Sequence, residues 1–371
     1  MNPLVKRALR LGVPATLLFA GTRRKTPKPA RAAALGGLLG LWGVAYSRYR
    51  KGGRIQTARE WELLRTCNWE AFTEHYNTRV PTIEEEFDIW GEYHQHRHEM
   101  RYDLVADAVR KHLPAGGSVL DIGCGSALVA DRILDLDGTY VGFDFGGHHT
   151  AYAAKKLASS GGRLRTFIGQ CQAEKLPFKD ETFDVVVMSE VIEHLLQPEL
   201  AVWEVARVLR PNGVFLMTTN NASEVPLKSP LLQPFAWLEK AAGADYPELI
   251  SGRPWVWPQS IPNPVPGATE PVYLPHTHHI QGETRKLFAA AGLDTFTWST
   301  FEFPPPQSKT AKWLDRRGET GRQIVDVIEA VATRTPVVKR LGCHLFMQAR
   351  KERDPIAKEP PSGVWPGPFS G

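Results

Sequence analysis

Val119-Leu120-Asp121-Ile122-Gly123-Cys124-Gly125-Ser126-Ala127 is the stretch on which the fold turns. An apolar strand runs into an acidic residue and then into a glycine loop. The next apolar strand, Thr139 to Phe143, ends at a second acid, Asp144. Glycines let a backbone turn sharply and approach a ligand, and an acid closing the second strand suits ribose hydroxyls. The pattern describes a nucleoside-cofactor site in an α/β domain.

Its details narrow the cofactor. A dinucleotide loop reads G-x-G-x-x-G, but the position of the third glycine is Leu128, and the lysine of a phosphate-binding P-loop is missing. Asp121, two residues before the first glycine, would repel a phosphate and suits a cation. The run D-I-G-C-G-S-A resembles motif I of the class I S-adenosylmethionine-dependent methyltransferases, whose cofactor carries an ammonium and a sulfonium but no phosphate. The resemblance implies that Asp121, Gly123 and Gly125 line the methionine moiety and that Asp144 binds the ribose. Gln172 and Ala173 would flank the adenine, with Cys124, Phe145 and Ser189 completing the cofactor set. The chain departs from the family at Gln172, where an acid is usual; a glutamine still accepts a bond from the adenine amino group. Taken alone, the motif also fits an ordinary glycine-rich strand-to-helix turn.

The rest of the chain keeps the order that the resemblance requires. Leu164 to Ile168 reads as a third strand, and Phe183 to Met188 is a continuously apolar run, as expected of a strand covered on both faces. Pro198 to Leu209 has helical spacing, with Leu200, Trp203, Ala206 and Leu209 on one face. Arg210 to Gly213 is a turn and Val214 to Thr218 a strand. Glu283 to Ala291 reads as a helix capped by Gly292, Thr295 to Thr300 as a sixth strand, Gln323 to Thr333 as a helix, and Cys343 to Arg350 as a closing antiparallel strand. The expected fold class is α/β: a doubly wound, mostly parallel seven-stranded sheet of the Rossmann-like methyltransferase type. Ligands would sit at the carboxyl ends of the strands, where Gly123, Asp144, Gln172 and Glu190 converge.

Methyl transfer from a sulfonium needs alignment of the acceptor and removal of its proton. The candidates for that chemistry are Glu190, Glu193 and His194 in the run E-x-x-E-H just past the fourth strand. This run resembles one found in ubiquinone-biosynthesis O-methyltransferases and in enzymes that methylate the 2′-hydroxyl at RNA 3′ ends, both of which hold a divalent cation with it. If it is helical, Glu190, Glu193 and His194 share a face and could bind Mg or Zn. A fourth ligand would come from His276-Thr277-His278-His279. Related enzymes without metal also carry an E-H pair here, with the histidine on substrate or acting as base. His94, His96 and His98 read as the solvated start of the helix of Met100, Leu104, Val105, Ala108 and Val109.

Two flanking regions complete the organisation. Residues 1–54 hold 12 Lys and Arg and no Asp or Glu, which leaves 33 basic against 40 acidic residues for the remainder. A mildly acidic body makes nucleic acid an unlikely partner. Within this arm, Ala32 to Tyr46 is an apolar run of 15 residues, short of the roughly 20 that a spanning helix needs. It suits an interfacial or re-entrant element on anionic lipid at the cytoplasmic side; a cleaved mitochondrial presequence is the alternative. Residues 55–112 form a helical cover and 113–352 the main domain. A lid at 221–279, rich in proline and tryptophan, favours a bulky apolar acceptor. Residues 353–371 are a Pro-rich tail. Cys67, Cys124, Cys171 and Cys343 form no C-x-x-C pair, as in a reducing compartment. Together these features point to methylation of an apolar or aromatic small molecule or lipid, most simply on oxygen, at a membrane surface. An RNA-terminal 2′-O-methyltransferase and a non-catalytic cofactor-binding assembly subunit are the rival readings.

Overall fold

The computed structural model describes residues 92–195, 197–221, 259–261, 272–274, 279, 281–303, 313–334 and 342–352. The basic arm, most of the helical cover and of the lid, Cys67, His276 to His278 and the Pro-rich tail lie outside the described residues.

Apolar strands buried on both faces form the centre. In chain order the strands are β1 Gly117–Ile122, β2 Gly138–Asp144, β3 Arg165–Gln170, β4 Phe183–Ser189, β5 Leu209–Asn220, β6 Gln259–Ile261, β7 Val272–Leu274, β8 Leu293–Phe301 and β9 His344–Lys351. The main sheet is seven-stranded, in the order β3-β2-β1-β4-β5-β9-β8, while β6 and β7 pair separately. Strands β1 to β5 are parallel, and β9 inserts antiparallel between β5 and β8. The sheet is therefore mixed, with β9 the reversed strand, as the closing-strand expectation has it.

Among the described residues six α-helices flank it: α1 Glu92–His112, α2 Leu128–Ile133, α3 Gly147–Ala158, α4 Pro198–Val208, α5 Gln281–Ala290 and α6 Gly318–Arg334. One face of the sheet packs Leu120, Val186, Met188 and Phe215 against Val202 and Val205 of α4 and Phe288 of α5. The other packs Val119, Val185, Val187 and Leu216 against Val105 and Val109 of α1, Val129 and Ile133 of α2, and Ala153 of α3. Two helical layers over a largely parallel sheet are the doubly wound arrangement, and they leave the carboxyl edge of the strands for ligand.

Three local expectations are corrected. The helix α1 begins at Glu92, so His94, His96 and His98 lie inside it rather than before it; there His96 Nε2 meets Asp326 of α6 at 3.0 Å. Of the face expected for α4, Ala206 and Leu209 are buried, but Leu200 and Trp203 are only half-buried, and Ala201, Val202, Val205 and Val208 are buried beside them. Sequence spacing alone did not choose between adjacent stripes. The E-x-x-E-H run is not one helical face: Glu190 leaves β4 with a left-handed backbone, φ 57°, and only Ile192–His194 turn as a short 3-10 helix.

Candidate functional site

The loops after β1, β2, β3 and β4 meet at the carboxyl edge, and the first of them explains its glycines. The Gly123 and Cys124 N–H groups both donate to the Phe143 carbonyl at the end of β2, at 2.7 and 2.9 Å. Gly123 (φ 70°) lies so close to the loop after β4 that a Cβ there would come within 2.2 Å of Val191 Cγ2. Gly125 (φ 50°) differs: a Cβ there meets nothing within 4 Å, so its backbone faces open space. One glycine is required by packing and the other borders the cleft.

Asp144 ties these loops together. One carboxylate oxygen accepts the Gly125 N–H at 2.9 Å and the other the Gly146 N–H at 2.8 Å. It therefore stands beside the open loop, with lone pairs left for ribose hydroxyls. Phe145 follows, half-buried, its carbonyl accepting from Gln170 at 2.7 Å. Cys124 is buried, and burial pushes its thiol up. The Asp121 side chain is buried and accepts the Tyr140 hydroxyl at 2.7 Å. Burial pushes its carboxyl up to about 7, with the negative charge of Asp144 adding to the effect and the Tyr140 bond opposing it.

The loop after β3 holds the other cofactor candidates. Gln172 is exposed and Ala173 buried, and the Lys175 N–H closes a turn onto the Gln172 carbonyl at 3.2 Å. The turn is held by α4: Glu204 accepts the Leu176 N–H at 2.7 Å, and Arg207 donates to the carbonyls of Leu176 and Phe178 at 3.0 and 2.7 Å. Arg207 also pairs with Glu204 and Asp180. Nothing in sequence spacing links residue 207 to residue 176.

Past β4, Ser189 shares a hydrogen bond with Thr218 at 2.9 Å. Glu193 is buried and accepts from Thr219 at 2.9 Å and Asn220 at 3.3 Å. Burial and the neighbouring Glu190 charge push its carboxyl well up. Glu190 goes the other way. Burial opposes its ionisation, but His344 and Arg101 outweigh that and hold it below the usual carboxylate range. His194 turns with its N–H on the Val191 carbonyl at 2.9 Å. The described member of the downstream histidine cluster, His279, donates its N–H to the Asn220 carbonyl at 3.1 Å.

The metal reading finds no support in this geometry. Among the described residues no group of three His, Cys, Asp or Glu side chains is arranged to hold a metal ion. Glu190 turns to His344 and Glu193 to Thr219 and Asn220, because the backbone breaks the helical register between them.

Residues 120–217 match the Methyltransferase domain family. That stretch is similar to class I S-adenosylmethionine-dependent methyltransferases. A Mycolicibacterium smegmatis protein named as an S-adenosylmethionine-dependent methyltransferase is 35% identical over 172 residues, 46% of this chain and 60% of its own length. A ubiquinone biosynthesis O-methyltransferase of Bartonella bacilliformis is 33% identical over 107 residues, 29% of this chain and 42% of its own. The similarity thus spans less than two thirds of either relative. Among solved structures, an S-adenosylmethionine-dependent methyltransferase from Mesorhizobium loti is similar at 15% identity and a TM-score of 0.39, covering 67% of this chain and 99% of that one. For a methyltransferase domain the cofactor fits the residues present: the open backbone at Gly125, the anchored Asp144 and the tied turn at Gln172 border one edge.

Proposed function

We propose that this chain transfers a methyl group from S-adenosylmethionine to a hydroxyl of an apolar or aromatic small molecule or lipid. The observation that carries the reading is the pair of carboxyls, Glu190 beside His344 and the buried Glu193 beside Thr219 and Asn220, next to the Val191 contact with the glycine loop. When bound, the cofactor supplies an electrophilic methyl on a sulfonium. The chain's own task is to orient the acceptor and to take its proton.

Glu193, its carboxyl pushed up by burial and by the Glu190 charge, is engaged by Thr219 and Asn220, and Glu190 is too weak a base once His344 lies beside it. The proton therefore goes to His194 in this reading, with the Glu190 carboxylate orienting the acceptor hydroxyl. Oxygen as the acceptor atom is supported by the names of the ubiquinone-biosynthesis relatives. Lipid or quinone as the acceptor class, and a membrane surface as the place, are supported by the acid-free basic composition of residues 1–54. No described helix is long and apolar enough to cross a membrane.

The test uses the full chain with methyl-labelled cofactor, offered phenolic quinone precursors, a lipid extract and RNA in parallel. Label in the phenolic or lipid fraction supports the reading. Label in RNA alone would transfer the assignment to a nucleic-acid enzyme. Tight binding of S-adenosylhomocysteine without label in any fraction would make the chain a binding subunit.

A further inference from the structure

Glu190 and Glu302 occupy equivalent places in the sheet. Each is the first residue past a strand, Ser189 closing β4 and Phe301 closing β8. Each holds a left-handed backbone, with φ of 57° and 67°. For a non-glycine residue that conformation is costly and persists only where the surroundings overdetermine it, which is common at functional sites.

What overdetermines both is one imidazole. His344, the first residue of β9, places Nε2 3.0 Å from Glu190 and Nδ1 2.8 Å from Glu302. A neutral imidazole has a single N–H, so carboxylates on both nitrogens call for the imidazolium. The strand register supports the arrangement, since His344 pairs with Asn220 of β5 on one side and Phe301 of β8 on the other. The Phe301 ring lies over the imidazole with centroids 5.5 Å apart.

The charges around this clamp come from every neighbouring element. From α1, Arg97 meets Glu302 at 3.2 Å, and the Arg101 charge acts on both glutamates. The Glu190 N–H donates to the Thr218 carbonyl of β5 at 3.0 Å, and the Glu190 charge acts on the buried Glu193. From α6, Glu329 accepts the N–H groups of Glu302 and Phe303 at 3.1 and 2.8 Å. The series Arg97, Glu302, His344, Glu190 alternates in sign. It ends beside the glycine loop.

We infer that His344 is a positioning residue: held from behind by Glu302, it fixes the Glu190 carboxylate toward the acceptor and acts on the reaction only through Glu190. The inference rests on the methyl-transfer reading above. A carboxylate displaced by a fraction of an ångström no longer aligns the acceptor, which is a loss in turnover rather than in binding.

The test is a cycle on the full chain of His344→Gln, Glu190→Gln and the double variant, with Glu302→Gln alongside. Turnover, KM for the acceptor, S-adenosylhomocysteine affinity and thermal midpoint are measured for each. We expect His344→Gln to lower kcat by about tenfold or more while KM and S-adenosylhomocysteine affinity change by less than about threefold. The double variant should then be no slower than Glu190→Gln alone. Glu302→Gln should show a smaller loss of the same kind, and it decides the matter if His344→Gln does not fold. Multiplicative losses in the double variant, or an effect confined to the thermal midpoint, would overturn the inference while leaving methyl transfer intact. Absence of turnover by the unaltered chain on every acceptor removes the parent reading, and this inference with it.

Discussion

Val191 fills the side-chain space of Gly123: a Cβ on the glycine would fall 2.2 Å from Val191 Cγ2. The loop after β1 and the loop after β4 are thus packed on each other, so that a shift in the glycine loop reaches the E-x-x-E-H run. Gly123→Ala meets both this contact and a φ of 70°. The strain alone costs about 1–3 kcal/mol, and relieving the overlap displaces Val191 and with it Glu190. The variant should lose at least about tenfold in S-adenosylhomocysteine affinity by calorimetry. Gly125→Ala, strained but facing open space, should bind more tightly than Gly123→Ala; the reverse order would mean that packing on Val191 is not what the first glycine serves.

Arg207 should matter to cofactor binding without touching the cofactor. It donates to the carbonyls of Leu176 and Phe178 and pairs with Glu204, which holds the Leu176 N–H. Removing the guanidinium leaves carbonyls and the buried Glu204 carboxylate without their donor, at about 1–3 kcal/mol. Arg207→Ala is expected to lower the thermal midpoint and weaken S-adenosylhomocysteine binding several-fold. An unchanged affinity would show that the turn at Gln172 keeps its shape unaided.

The contrast between Arg207 and Gly123 marks what a sequence discloses. The strand-loop-strand order, the glycine loop and Asp144 are local patterns, set by period and by backbone needs within a few residues, and they read through directly. Glu190, Glu193 and His194 were found for the same reason, as a run. Their geometry was not legible, because a left-handed residue at Glu190 replaces the helical face that i, i+3 spacing suggests. Arg97, Glu302 and His344 were missed altogether. They come from α1, the end of β8 and the start of β9, and only the antiparallel insertion of β9 brings them together. A buried Arg97 amid an exposed-looking run, Glu-Tyr-His-Gln-His-Arg-His, carries no local signal of its partner.

Asp121 gives a pH prediction whose sign is opposite to that of an ordinary paired carboxylate. Burial raises it from 3.8 to about 7 in the folded chain. The folded state therefore binds more protons than the unfolded one between these values. Stability from this group is fully present below pH 3.8 and is lost as pH rises to about 7. At about 1.4 kcal/mol per pH unit the effect is at most about 4 kcal/mol. Asp121→Asn keeps an acceptor for Tyr140 and cannot ionise, so it should stabilise the fold at pH 8 and flatten this part of the stability profile in urea titrations. It should also keep S-adenosylhomocysteine affinity within about threefold, because the side chain is buried on the Tyr140 hydroxyl. A large loss of affinity would support direct contact with the methionine ammonium.

His194 separates binding from chemistry. The cofactor candidates Gly125, Asp144 and Gln172 lie on the loops after β1, β2 and β3, whereas His194 closes the 3-10 turn after β4. Its substitution by alanine should leave S-adenosylhomocysteine binding nearly intact. If it takes the acceptor proton, turnover should fall by about 10²–10⁴-fold. The loss should shrink as pH rises and the acceptor hydroxyl ionises by itself, most visibly with acidic phenols. Equal losses at every pH would argue for a contact to substrate rather than a base, and loss of cofactor binding would mean that the loop after β4 belongs to the cofactor half of the pocket.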